Sequence, residues 1–356
     1  MNVGINGFGR IGRLFMRAVL YDKNLPFKVT HINDLADPKC LTELMERDSA
    51  HGILGRKVFI EGNKLMIEGY TPITFSQTRK PEEIPWDQSN VELVLESTGV
   101  FCSREGAGLH LKKGVKKVII SAPPKGEIDR TIVIGANEEQ LQASDVIISN
   151  ASCTTNSITA VLKVIKDNFG IKKGLLTTVH GYTMDQRLQD APHEDMRRAR
   201  AAGVNVIPTS TGAAKLAGKI IDLAGKIDGM ALRVPVITGS LTQVSLDLEK
   251  PTNAEEVNLL LKKACENELK GIVHYTDQAI VSGDIIGDPR SGIIDSQITK
   301  VQNDDLLQLN VWYDNEWGYS NRTVDLVAYI AEGKFGQKHV NREVVRSSGM
   351  GVGENY

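Results

Sequence analysis

The chain has 356 residues, more than a single hydrophobic core readily organises, so two domains are expected. With 41% hydrophobic and 24% charged residues, and with apolar runs broken by charges well short of a bilayer's width, the composition argues against a membrane protein. A net charge of -2 argues against a general nucleic-acid surface, the basic cluster Arg197, Arg198 and Arg200 being local.

In chain order, the first element is a β-branched run at residues 3–6, followed by a helical pattern at 11–20, a strand pattern at 27–33 and a helical pattern at 41–47. This alternation reads as βαβ. No basic and apolar leader precedes it, which gives a cytoplasmic location as the expectation. Further strands are expected at 92–96, 117–121 and 145–149, with a helix at 103–114, so the first part of the chain reads as a doubly wound, largely parallel sheet. Beyond residue 153 the strand-like stretches lengthen to "GLLTTVHGY", "ALRVPVITGSLTQVSLDLE" and "LLQLNVWYDN", with one strong helix in "NAEEVNLLLKKACENEL". A second domain with a mostly antiparallel sheet follows, making the fold class α/β. An amphipathic stretch at 321–331 is expected to return to the first domain, and the glycine-rich end reads as a tail.

Between the first strand and helix lies "INGFGRIGR", a Gly7-x-Gly9-x-x-Gly12 motif. Gly7 permits a tight turn, Gly9 lets backbone approach a pyrophosphate, and Gly12 allows the helix to pack on the strand. Arg10 and Ile11 stand at the helix mouth. Asp34, at the end of the second strand, is placed to accept from ribose hydroxyls, and its charge opposes a 2'-phosphate, favouring NAD over NADP. The competing reading is a plain turn, with Asp34 capping the next helix.

"SNASCTTNSITAVL" puts Cys153 where a helix begins. Such a cysteine is either a small buried hydrophobe or, facing unpaired amides and the positive end of the helix dipole, a nucleophile with a lowered pKa. The four cysteines, Cys40, Cys102, Cys153 and Cys265, show neither C-x-x-C pairs nor metal-ligand spacing, so reduced thiols and no metal site are expected. His180, in "TTVHGYT", is a candidate base, next to the polar turn of Thr183, Asp185 and Arg187. "IPTSTGAAK" brings hydroxyls and a glycine to another helix start, where a phosphate would fit. Arg233, an isolated cation in an apolar strand, reads either as half of a buried ion pair or as an oxyanion ligand.

Up to about residue 335 the chain resembles glyceraldehyde-3-phosphate dehydrogenase, through "INGFGRIGR", "NDL", "ISAPPKG", "SNASCTTN", "TTVHGYT", "RRARAA", "IPTSTGAAK", "RVP" and "WYDNEWGYSNR". The resemblance implies a Rossmann domain at 1–152 and 319–335, an α+β catalytic domain at 153–318, a tail of no assigned role at 336–356, and a homotetramer. It implies glycolytic oxidation of glyceraldehyde 3-phosphate with NAD and inorganic phosphate to 1,3-bisphosphoglycerate, through a thiohemiacetal and a thioester. Cys153 would be the nucleophile and His180 its base. Thr183 and Arg233 would hold the substrate phosphate; Ser152, Thr154, Thr211 and Gly212, with Arg198 nearby, would hold the attacking phosphate. NAD would meet Gly7, Gly9, Arg10, Ile11, Gly12, Asp34, Arg79, Thr98, Gly99, Ser121 and Asn315, with Tyr319 near the nicotinamide. Gly181, Met184, Ala191 and the segment after Arg233 depart from the family's commonest pattern. The alternatives are erythrose-4-phosphate dehydrogenase and a non-catalytic surface or RNA-binding role. Retention of Thr183 in "HGYT" favours the triose.

Overall fold

A computed structural model describes residues 1–338; residues 339–356 of the expected tail lie outside the described residues. Seven α-helices are found among the described residues: α1 (Arg10–Tyr21), α2 (Pro38–Glu46), α3 (Arg104–Gly108), α4 (Cys153–Phe169), α5 (Ala213–Ile220), α6 (Ala254–Glu266) and α7 (Trp317–Ala331). The helix expected at 103–114 is limited to α3, because Gly106 and Gly108 already weaken it. By contrast α7 begins four residues before the predicted stretch and is buried along most of its length.

The first sheet has nine strands. From one edge they run Arg130–Thr131, Ile147–Ser149, Lys117–Ile120, Leu93–Glu96, Asn2–Asn6, Lys28–Asn33, Ile73–Ser76, Lys64–Ile67 and Val58–Glu61. The first seven are parallel, and the last two add an antiparallel edge through a Gly62–Asn63 loop that the sequence reading did not include. The chain winds outward in both directions from Asn2–Asn6, so the strand order reverses there. Ligands of open α/β sheets lie at such a reversal, beyond the carboxyl ends of the strands.

The second sheet has eight strands and is mostly antiparallel. Its path is Ile207–Ser210, Ile227–Val234, Ile171–Gly181, Ser240–Leu248, Leu306–Tyr313, Gly292–Asp295 and Val273–Thr276, with Lys300–Gln302 also on Leu306–Tyr313. The apolar stretch at 231–249 is two strands, not one. They are separated by a turn containing Pro235, which cannot donate to a ladder, and Gly239, at φ +92°. They flank Ile171–Gly181 on opposite sides, one parallel and one antiparallel.

Alternation along Ile171–Gly181 buries Leu176, Thr178 and His180 and leaves Leu175 exposed. Helix α4 packs on this sheet and on α7, and α7 packs on α1. Apolar side chains from both sheets and from α4 and α7 thereby join in one continuous core. No helix among the described residues is long and apolar enough to cross a membrane.

Candidate active site

Helix α4 starts at the thiol because Ser152 caps it, its Oγ accepting from the Thr155 amide at 3.0 Å. The residue before the cap, Ala151, has φ +55°, an uncommon backbone state for a non-glycine residue. The Tyr319 hydroxyl, from α7, donates to the Ala151 carbonyl at 3.2 Å, and the Ala151 amide donates to Ser149 Oγ at 2.9 Å. Asn156 Nδ2 donates to the Asn150 carbonyl at 2.8 Å and to the Ser152 carbonyl at 3.0 Å, closing the turn. These bonds fix where Cys153 points.

His180 meets it from the end of its strand, with Nε2 3.4 Å from Cys153 Sγ. Arg233 is there because parallel register pairs it with His180 across the ladder. Its Nη1 lies 2.7 Å from His180 Nδ1 and 3.2 Å from the Gly181 carbonyl, so it is an oxyanion ligand candidate beside the thiol and not half of a carboxylate pair. Tyr313 completes the wall: its hydroxyl bonds Thr154 Oγ1 at 2.7 Å and Thr178 Oγ1 at 2.8 Å, and its ring meets that of His180 edge-on, centroids 5.9 Å apart. Neither Tyr313 nor Thr178 stood out in the sequence, since both matter through contacts more than 130 residues apart.

Burial pushes the His180 pKa down to about 3, and the Arg233 charge adds to this. The imidazole is therefore neutral at physiological pH, as a base must be. Burial also pushes the Cys153 thiol up, against the opposing pull of Arg233, Thr154 and the first-turn amides. This departs from the lowered pKa that a helix start suggests: desolvation of the thiolate outweighs the helix terminus. The resting pair is a thiol beside a neutral imidazole.

Thr183 lies in the turn after His180, its amide 3.3 Å from Gln186 Oε1. Arg198 is braced by Asp185 and by Thr209 Oγ1 at 2.8 Å, with Ser210 beside it. Asp185, Arg187, His193, Asp195 and Arg198 line a polar cleft of about 450 Å³. Gly212 caps α5 without a side-chain bond, and Thr211 Oγ1 accepts from the Ala213 amide at 3.2 Å. The hydroxyls of Ser152 and Thr154 already have the α4 cap and Tyr313 as partners.

The glycine turn follows the Asn2–Asn6 strand and leads into α1. Gly7 has φ +93°, and a Cβ there would fall 2.8 Å from backbone atoms of Ser97 and Thr98; one on Gly12 would fall 2.2 Å from the Gly7 carbonyl. Around Gly9 the space is open, and the amides of Arg10 and Ile11 precede the first intrahelical bond of α1, from Arg13 to Gly9. Asp34 accepts from the Phe8 amide at 2.6 Å and the Ala36 amide at 2.9 Å, which ties its carboxylate to this turn. Asp37, not Asp34, caps α2. Thr98, Gly99 and Arg79 are exposed and Ser121 half-buried, all following the carboxyl ends of parallel strands. Asn315 is buried, its Oδ1 accepting from Thr238, Gly239 and Ser240 at 3.2, 3.1 and 2.8 Å, so its amide nitrogen is the end left to meet a ligand. These residues fit a dinucleotide: an open backbone cradle for phosphates, a carboxylate for ribose hydroxyls and a fixed amide donor for a carboxamide.

Residues 1–104 match the family profile "Glyceraldehyde 3-phosphate dehydrogenase, NAD binding domain" and residues 152–315 the profile "Glyceraldehyde 3-phosphate dehydrogenase, C-terminal domain". The chain belongs to the glyceraldehyde-3-phosphate dehydrogenase family. Relatives named glyceraldehyde-3-phosphate dehydrogenase include one from Mycobacterium avium, 49% identical over 337 residues, spanning 93% of this chain and 99% of the relative. One from Mycobacterium tuberculosis is 50% identical over 337 residues, with the same coverage. Glyceraldehyde-3-phosphate dehydrogenase 1 of Bacillus subtilis is 49% identical over 334 residues, 93% of this chain and 98% of its own. The chain is thus an NAD-dependent oxidoreductase of this family.

At the mouth of α1 the chain has an ion network that the sequence did not reveal. The Arg10 guanidinium is clamped by Asp48 and Glu316, and His51 Nε2 lies 3.2 Å from Glu316 Oε2. Burial alone would raise the pKa of Asp48, but Arg10 and the amides of His51 and Ala50 bring it down from 3.8 to about 2. A folded pKa below the unfolded one stabilises above the unfolded value and is lost as pH falls through the folded value. On the order of 2 kcal/mol of stability should therefore disappear between pH 4 and 2. Urea denaturation across that range checks this; in Asp48→Asn the contribution from this group should be gone at every pH.

Proposed function

We propose that the protein oxidises glyceraldehyde 3-phosphate to 1,3-bisphosphoglycerate, consuming inorganic phosphate and reducing NAD. The observation that carries this reading is the triad of Cys153 Sγ, His180 Nε2 at 3.4 Å and Arg233 at the far side of the same imidazole, set at a helix N-terminus. Cys153 adds to the aldehyde carbon while Nε2 takes its proton. Arg233 and Thr183 hold the substrate phosphate. Nε2 returns that proton to the developing alkoxide, which gives the thiohemiacetal and leaves the imidazole neutral. NAD, when bound, would supply the hydride acceptor, and His180 takes up the hydroxyl proton as the thiohemiacetal becomes a thioester, passing it on before the next step. Inorganic phosphate, held near Arg198, Thr211, Gly212, Ser152 and Thr154, then cleaves the thioester, and the Cys153 sulfur leaves. Charge-assisted bonds of the kind Arg233 would make contribute roughly 1.5–3 kcal/mol each.

The cofactor residues are Gly7, Gly9, Arg10, Ile11, Gly12, Asp34, Arg79, Thr98, Gly99, Ser121, Asn315 and Tyr319. With its guanidinium engaged by Asp48 and Glu316, Arg10 contributes its backbone amide. In this reading residues 1–152 with 319–335 form the cofactor domain and 153–318 the catalytic domain, supported by the two sheets and by the packing of α7 on α1. A homotetramer in the cytoplasm is the accompanying proposal. What supports the association is the number of exposed apolar side chains within one segment, Met184, Leu188, Met196, Val204 and Val206, whose burial needs another surface.

The test is NADH formation from glyceraldehyde 3-phosphate with and without inorganic phosphate, against erythrose 4-phosphate, and with NADP in place of NAD. Turnover should require phosphate, favour the triose, and favour NAD by at least about tenfold, a preference of ~1.4 kcal/mol from the Asp34 carboxylate. Phosphate-independent turnover, or faster oxidation of the four-carbon sugar, would overturn the reading.

A further inference from the structure

His180 Nδ1 has two neighbours that make opposite demands on it. The Gly181 carbonyl lies 2.7 Å away and can only accept; Arg233 Nη1, also 2.7 Å away, can only donate. A neutral imidazole carries one proton, and it cannot satisfy both. If Nδ1 bears the proton, it bonds Gly181 and confronts the Arg233 donor. If Nδ1 is bare, it accepts from Arg233, and the proton sits on Nε2, facing Cys153 Sγ at 3.4 Å. In that second form Nε2 has no lone pair for the thiol proton.

We propose that Arg233 selects the tautomer of His180, holding it as the Nε2–H form until the guanidinium is drawn to the anionic group of the substrate. Once it turns, Nδ1–H bonds the Gly181 carbonyl and Nε2 becomes an acceptor for the Cys153 proton. The proton balance is simple: Nε2 gives one proton to solvent water, Nδ1 takes one up, and the ring stays neutral. Because the ring resists protonation so strongly, the two neutral forms are the ones in competition. Arg233 Nη1 reaches the Gly181 carbonyl as well, at 3.2 Å, so in the resting site one cation bridges both acceptors and screens their mutual repulsion. Binding an anion removes that bridge. Activation of the thiol is thereby tied to occupancy by a phosphorylated aldehyde, and an unphosphorylated one would meet a site whose base is occupied. This rests on Arg233 binding the substrate phosphate.

The experiment is ¹⁵N NMR of histidine-labelled protein, with the His180 signals identified by their loss in His180→Asn. Without ligand, Nε2 should be protonated and Nδ1 bare. Saturating sn-glycerol 3-phosphate, which has the phosphate but no aldehyde to react, should reverse this, and its binding is followed by its own ³¹P signal. Arg233→Met should show Nδ1–H with or without the ligand. An Nδ1–H form in the free protein, a tautomer indifferent to bound glycerol 3-phosphate, or failure of that ligand to bind would each overturn the proposal. If glyceraldehyde 3-phosphate is turned over but the tautomer does not respond, the switch fails and the proposed activity stands. If there is no turnover, the activity itself fails.

Discussion

Replacement of Cys153 by serine is expected to lower aldehyde oxidation by at least about 10⁴-fold while leaving NAD affinity within about twofold. In the proposed mechanism the sulfur forms and releases the covalent bond, and a hydroxyl at the same point is far less acidic and a much poorer leaving group from the acyl intermediate. Sγ contacts His180 and Thr154, whereas Asp34 bonds the Phe8 amide of the glycine turn, so cofactor binding should be spared. Steady-state NADH formation and NAD titration by fluorescence quenching separate the two effects. Activity within tenfold of the parent protein would remove Cys153 as nucleophile, and loss of NAD binding would show that the substitution had disturbed more than the thiol.

His180→Asn should reduce turnover roughly 10²- to 10⁴-fold, the range contributed by a positioned base. The pH dependence is the sharper readout. Burial holds the Cys153 thiol above its ordinary pKa, so without His180 the thiolate forms only by loss of a proton to solvent. Its fraction, and with it kcat/KM, should keep rising with pH beyond about 8.5, where the parent protein has levelled off. A variant whose profile matches that of the parent would mean that His180 is not the group that takes the thiol proton.

Local features were legible in the chain because their causes are local. "INGFGRIGR" and "SNASCTTN" carry their turns and caps within a few residues, and Gly7, Ser152 and α4 appear where that chemistry requires. The break between Ile227–Val234 and Ser240–Leu248 was equally local in cause, through Pro235 and Gly239, yet a long apolar run hid it. The edge hairpin at 58–67 was illegible because its strands have four residues each, too few to show a period. For Asp34 the sequence left two roles open, and the structure removes one of them, since Asp37 caps α2.

By itself, the sequence determined the family, the glycine cradle, the helix that begins at Cys153 and the alternation from a parallel to a mostly antiparallel sheet. It did so because caps, turns and periodicity are properties of neighbouring residues. Only the tertiary structure decided that His180 lies within reach of a thiol 27 residues earlier, and that strand register sets Arg233 beside His180. It also decided that Arg10 is held by Asp48 and Glu316, and that the thiol's pKa rises despite its place at a helix start. Those outcomes depend on distance across the fold and on exclusion of water, and neither is a property of the chain read residue by residue.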